Sequence, residues 1–375
     1  MILLAPDSYK GSLTAIQVAL AMELGIRRVV PDAQIRLMPL ADGGEGTLDA
    51  ILSATDGVRH EISVTGANFE SINSAFGLLC TPDGLVAVLE AAQVVGITLP
   101  LSRPVCERTT QGLGEIIRHC LDIGVRRFMI GLGGSSTNDG GSGLLTALGV
   151  NLLDIYGNLL PGNPEGLKKL ERVDFSNLDP RIAECNITIM SDVNNPLCGP
   201  IGATAVFGIQ KGVRDDETAE LDHHLDRFSS YCDAYLGRRV ALQSGAGAAG
   251  GLGYALLLLG GVSRSGAEVL FDLIDFENTV SKAEWILTGE GRSDTQTLLG
   301  KVAFAVSRVA TRHNVPVTLL SGGIDESGLS QLGQHFAGCF SVISRPLSLE
   351  EAMREAAGMV SNSSEQLMRL WIARH

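Results

Sequence analysis

Apolar residues fall along this chain in two rhythms. Short unbroken runs alternate with stretches in which apolar positions recur every three or four residues, and glycine-rich polar turns join the two. Ile2 to Ala5 is one unbroken run, the pattern of a strand covered on both faces. The turn Asp7-Ser8-Tyr9-Lys10-Gly11-Ser12 follows it. A helix then begins with Thr14 as N-cap and Gln17 as its capping-box partner, with Leu13 and Val18 placed as a hydrophobic staple. Ile16, Leu20 and Leu24 make its expected apolar face. The unit repeats: Ile35 to Leu40, the turn Ala41-Asp42-Gly43-Gly44-Glu45-Gly46, and a helix carrying Leu48, Ile51 and Leu52. It returns near the C-terminus at Trp285 to Leu287, Val315 to Leu320 and Cys339 to Ile343, before a helix over Met353 to Trp371. Strands alternating with helices in this way predict a five-stranded parallel sheet.

Between these parts the rhythm changes. Ile62/Val64, Ile72/Ala75 and Val86/Val88/Leu89, with turns at Gly66 and Pro82-Asp83-Gly84, read as antiparallel strands. Further on come a helix over Leu113 to Leu121, strands at Phe128 to Ile130 and Ile187 to Met190, a helix over Leu221 to Leu236, and an apolar core helix over Leu252 to Leu259. The fold class is therefore α/β with two domains: a discontinuous parallel-sheet domain, 1–60 plus 284–375, and a mixed-sheet α/β domain inserted at 61–283. The site is expected in the cleft between them.

Composition narrows the function. The 375 residues carry a formal net charge of −13 and include 45 glycines, which gather at strand-to-helix turns. There is no basic stripe for nucleic acid and no apolar run long enough to span a membrane. Seven scattered cysteines lack zinc or redox spacing, and the chain opens without a signal peptide; both point to a reducing cytoplasm. Lysines number only six, and Lys10, Lys211 and Lys301 sit in or beside polar turns, where an acidic protein would gather positive charge for an anion.

The richest turn is Gly131 to Gly143, GLGGSSTNDGGSG, between an apolar strand and an apolar helix. Gly133 and Gly134 offer backbone N–H groups; Ser135, Ser136, Thr137 and Asn138 add side-chain donors; Asp139 adds a carboxylate suited to a metal. A plain connecting turn fits the same letters. A Walker A loop does not, since no Gly-Lys-Ser/Thr follows, and a dinucleotide fingerprint fails at Ser136. That failure counts against a dehydrogenase. Other acids lie just past strand ends: Asp42 and Glu45, Asp192 with Asn194 and Asn195, and Glu290 with Asp294. Each fits either a helix cap or turn or a metal or substrate hydroxyl. His223 and His224 are adjacent and are expected on the solvated face.

Seven segments, in order and covering nearly the whole chain, carry a resemblance: APDSYKGSL (5–13), PLADGGEGT (39–47), the 131–143 loop, SDVNNPLCGP (191–200), FGIQKG (207–212), GAGAAGGLG (245–253) and LTGEGRSDTQTLLGK (287–301). The chain resembles the bacterial glycerate kinases of class II, also called type 1. Cys106, Gln111 and Cys198 depart from the pattern. The resemblance implies two α/β domains, one flavodoxin-like, and phosphorylation of D-glycerate by ATP with Mg²⁺, most often giving 2-phosphoglycerate. Phosphorylation at the 3-hydroxyl, or a non-catalytic metabolite-binding regulator, are the alternatives, and self-association into a homo-oligomer stays open. Phosphoryl transfer asks mainly for positioning and charge neutralisation. On that basis Gly133, Gly134, Ser135, Ser136, Thr137, Asn138 and Lys211 are expected on the ATP phosphates. Ser8, Lys10, Gly43, Gly44 and Asn194 are expected on substrate. Asp42, Asp139, Glu290 and Asp294 are expected on the metal. Asp192 is expected to orient or deprotonate the hydroxyl, with Lys10 and Asp42 completing the catalytic set.

Overall fold

The structure, a computed structural model, describes residues 1–373. It divides into two units. Of the described residues, the first comprises 1–42, 49–55 and 267–373, and the second 43–48 and 56–266.

The first unit holds five parallel strands in the spatial order Gly338–Ser341, Val317–Ser321, Trp285–Thr288, Ile2–Leu4, Ile35–Leu37. This is the expected parallel sheet. Counted within the unit its order is 2-1-3-4-5, the flavodoxin-like winding, whose strand sequence reverses direction beside the first strand. Leu3 and Leu4 have no exposed surface, as an unbroken apolar run in a doubly covered sheet requires.

The helix Ala15–Arg27 starts on the predicted capping box: Thr14 and Gln17 bond reciprocally. Its buried face differs from the expected one. Ile16, Leu20 and Leu24 are exposed, whereas Val18, Ala19, Ala21, Met22, Gly25 and Ile26 are buried. That narrow face lies against the last helix, Leu349–Ile372, and meets Met359, Val360, Leu367 and Met368 in one core. Small residues win the inward face because they let two helix backbones approach closely; a reading based on large apolar residues misses that. At the other end of the last helix Trp371 stacks on Trp285, with centroids 4.7 Å apart.

The second unit holds a six-stranded sheet in the order Val262–Arg264, Asn186–Met190, Arg127–Gly131, Gly84–Glu90, Ser71–Thr81, Val58–Thr65. The first four strands are mutually parallel and the last two pair antiparallel, so the sheet is mixed. The two units meet in sequence near 56 and 266 rather than at 61 and 283. The short helix Phe276–Val280 packs on the helix Val302–Arg312 of the first unit. The turn 43–48 groups with the second unit because Gly43 is wedged there. Its φ is +92°, and a Cβ on it would overlap the Met190 carbonyl, while its own carbonyl accepts from Gly133 N at 3.1 Å.

Candidate functional site

Turns at the carboxyl ends of the first unit's strands enclose a cavity of about 850 Å³. Ligands of open α/β sheets bind at these ends. The turn after Ile2–Leu4 brings Asp7, Ser8 and Lys10, and Asp42 follows Ile35–Leu37. The turn after Trp285–Thr288 brings Glu290. The floor is stiff. Gly289 lies so close to the Val317–Ser321 strand that a Cβ would overlap the Leu320 carbonyl. Tyr9 Oη donates to that same carbonyl at 2.7 Å. Gly322 N and Gly323 N donate to the carbonyls of Glu290 and Gly291, and Arg292–Ser293 pairs with Gly323–Ile324 as a short parallel ladder.

Charge is crowded on this floor. Lys10 Nζ donates to Asp42 Oδ2 at 3.3 Å. Asp42 beside it is the main reason the Lys10 ammonium is held above its ordinary pKa. Glu290 is 7% exposed. Its Oε1 accepts from Ser293 Oγ at 3.0 Å and from Thr297 Oγ1 at 2.6 Å, and its Oε2 faces Lys301 Nζ at 3.2 Å. Asp7 is buried, and one carboxylate oxygen accepts from Ser8 N at 2.6 Å. Burial first, and the Asp42 carboxylate second, push the Asp7 carboxyl up to about 8. A neutral carboxyl thus lies among charged groups at neutral pH. Sequence reasoning placed Asp7 in the turn but gave it no role, because its burial is a tertiary fact.

The structure separates the remaining candidates. Asp294 is the N-cap of the short helix Thr295–Leu299, its Oδ1 accepting from Gln296 N at 2.8 Å, so one of its oxygens serves the backbone. Glu45 is exposed. In the second unit the 131–143 loop is largely closed to solvent. Ser136, Thr137, Asn138 and Asp139 have no exposed surface. Asp139 accepts from Thr110 N (2.9 Å), Thr110 Oγ1 (2.7 Å), Gly141 N (3.0 Å) and Gly143 N (3.2 Å). It is a buried brace joining the loop to the helix Gln111–Asp122. Lys211 is buried as well, donating to Thr137 O at 2.7 Å and Ser135 Oγ at 3.2 Å. Burial brings its pKa down to about 7 against the opposing pull of Asp139. Ser136 Oγ donates to Val95 O at 2.8 Å. Gly133 is half-buried and Gly134 exposed, so the open part of this loop is backbone. Gly43 and Gly44 are buried in packing. Asp192 is half-buried just past Asn186–Met190, and Asn194 Oδ1 accepts from Ser244 Oγ at 2.9 Å.

One residue lay outside the sequence reading and one departs from it. Glu90, 1% exposed at the end of its strand, accepts from Gly46 N and Leu48 N; the one signal was a carboxylate terminating an apolar run. His224 is buried rather than solvated, and only His223 faces outward. Among the described residues, no group of three or more His, Cys, Asp or Glu could hold a metal ion, and no helix is long and apolar enough to cross a membrane.

Comparison with known proteins gives a consistent result. Residues 2–372 match the model of the glycerate kinase family. The chain is 39% identical over 371 residues to a glycerate 2-kinase of Escherichia coli K12, covering 98% of this chain and 96% of that one. It is 38% identical over 369 residues to a glycerate kinase of Halalkalibacterium halodurans, covering 98% and 97%. A crystal structure described as a glycerate kinase 2 from Salmonella typhimurium LT2 superposes with a TM-score of 0.84 at 40% identity, covering 99% of this chain and 98% of that one.

Proposed function

Since this chain belongs to the glycerate kinase family, we propose that it phosphorylates D-glycerate with ATP, giving 2-phosphoglycerate and ADP. The observation that carries this reading is the first unit's cavity, whose floor gathers Lys10, Asp42, Glu290 and Lys301 around strand ends. Phosphoryl transfer is governed by positioning and charge neutralisation, and this floor supplies both signs of charge on a rigid base.

Lys10, with its side chain 62% exposed, neutralises an anionic oxygen of phosphate or carboxylate. Lys301, held by Glu290, is the second cation. Mg²⁺ fits this donor set: it takes one or two carboxylates and completes its shell with water and phosphate oxygens rather than an all-protein cage. Asp42 and Glu290 are the residues that would hold it. When bound, Mg²⁺ offsets charge on the transferring phosphoryl group. Ser8, on the same floor, is the residue proposed to bond a substrate oxygen. Asp192 is the group proposed to deprotonate the attacking hydroxyl, with Asn194 beside it in sequence. Of this loop the exposed backbone at Gly134 is the part open to an anion, since Gly133 N is engaged by the Gly43 carbonyl, whereas the buried side chains that follow hold the loop's shape.

The test is ADP release from Mg-ATP across a panel of small hydroxy acids, followed by phosphorus NMR of the product. The proposal expects D-glycerate to be preferred and the phosphorus signal to couple to the single C2 proton. Coupling to the C3 methylene would move the reaction to the other hydroxyl. No ADP release with any hydroxy acid would overturn the reading.

A further inference from the structure

The cavity of the first unit has two unlike halves. One is the charged floor described above. The other is a wall of Val342, Ile343, Leu347, Leu349, Met353 and Met359, drawn from the last strand's exit and the first turns of the last helix. This apolar half has no use for a three-carbon hydroxy acid, which carries an oxygen on every carbon and fills a small part of 850 Å³. Cavities of a few hundred to a thousand Å³ lined mainly by apolar side chains take larger, flat ligands and orient them by a few polar groups. Leu349 is 77% exposed on the first turn of the helix, an apolar rim without a protein cover. Met353 and Met359 bring thioethers, which pack adaptably and favourably against aromatic rings.

We propose that this apolar half seats the base and ribose of the nucleotide donor, with its phosphates running toward Lys10 and Lys301. The inference rests on the kinase reading and deepens it by moving the nucleotide to the first unit. Three observations converge. The cavity sits where the strand order reverses beside the first strand, the place where such sheets bind nucleotides and flavins. Its two halves match a molecule with an aromatic end and an anionic end. The acids Asp42 and Glu290 among the lysines suit a phosphate chain that arrives with a divalent cation better than a bare carboxylate. The 131–143 loop, by contrast, buries the side chains that would have met phosphate.

Two variants spare the fold. A Cβ on Gly323, which lines the cavity, meets open space, so Gly323→Leu starts from an unobstructed Cβ and narrows the cavity, with far-UV circular dichroism checking that the fold is kept. Leu349→Asp removes the exposed rim and places an acid in a helix's first turn, where it is tolerated. Each should raise the KM for ATP and the calorimetric Kd for Mg-ADP roughly tenfold or more, with the KM for D-glycerate within about twofold of wild type. A measurement needing no variant is photolabelling of the wild-type protein with Mg-8-azido-ATP, which should mark the peptide spanning 342–359. Labelling centred on 131–143 instead, or a rise in glycerate KM with unchanged Mg-ADP affinity, overturns the proposal. The two readings fail separately. If no hydroxy acid is phosphorylated but the variants weaken Mg-ADP binding, the nucleotide seat stands and the substrate falls. If glycerate is phosphorylated and both variants bind Mg-ADP normally, the seat falls and the kinase stands.

Discussion

Replacing Asp139 by alanine removes the acceptor of four hydrogen bonds at a position with no exposed surface. Three of the four donors are main-chain N–H groups that cannot turn elsewhere; the Thr110 hydroxyl can rotate. A buried donor left without a partner costs about 1–3 kcal/mol, so the three together set a gross penalty of roughly 3–9 kcal/mol. Two effects reduce it: water can enter the vacated space, and the carboxylate was itself expensive to bury, as its raised pKa records. The net loss should be about 3–5 kcal/mol for Asp139→Ala. Asp139→Asn keeps one oxygen toward the Thr110 and Gly143 donors but turns an amide N–H₂ against Gly141 N, so it should lose less, about 1–3 kcal/mol. Urea unfolding followed by far-UV circular dichroism reads the loss, with no nucleotide or metal present. Tryptophan fluorescence serves as the internal comparison, because Trp285 and Trp371 both lie in the first unit. If both variants kept wild-type midpoints yet lost activity, Asp139 would be a ligand-binding group and the brace would be wrong.

Other expectations follow from the charged floor and from Asp192. The Asp7 carboxyl has a folded-state pKa of about 8 against 3.8 for the free group, so folding takes up a proton between those values and stability falls as pH rises through that window. Asp7→Asn should flatten this fall, read as the fluorescence-detected urea midpoint against pH; an unchanged slope would place the pH dependence elsewhere. Lys10→Ala should raise the KM of one anionic ligand about tenfold, and unchanged KM values for both ATP and glycerate would contradict its assigned role. Asp192→Asn should lower kcat by ~10²–10⁴ with little change in glycerate KM, and near-normal turnover would remove it as the base.

The parallel sheet was legible because its strands are unbroken apolar runs followed by turn residues, and that pattern depends only on near neighbours. The antiparallel strands 58–90 were legible through alternation and the turn at Asp83-Gly84. The loop 131–143 was not, since glycine and hydroxyl residues are what both an anion cradle and a buried brace require. Which one forms is decided by Thr110 and Lys211, distant in sequence. The apolar wall of the cavity escaped for a related reason: Met353 read simply as the start of a helix, Leu349 fell before that start, and nothing local reveals that they line a cavity. That Lys10, Asp42 and Glu290 lie just past strand ends was legible, because charge after a strand end is rare and positional; that they line one cavity is a tertiary fact.

The strand Ile2–Leu4 pairs on one side with Trp285–Leu287, the central strand of the first unit's sheet, so it waits for a partner nearly three hundred positions downstream. At about 5–20 residues per second of synthesis, the wait lasts roughly fifteen seconds to a minute. Throughout it Ile2–Ala5, wholly apolar, has one sheet edge unmet, while residues 56–266, the bulk of the second unit, emerge without interruption. The buried strand residues Leu3 and Leu4 are where a substitution would lower the yield of folded protein while leaving the charged turn at Ser8 and Lys10 unchanged in sequence.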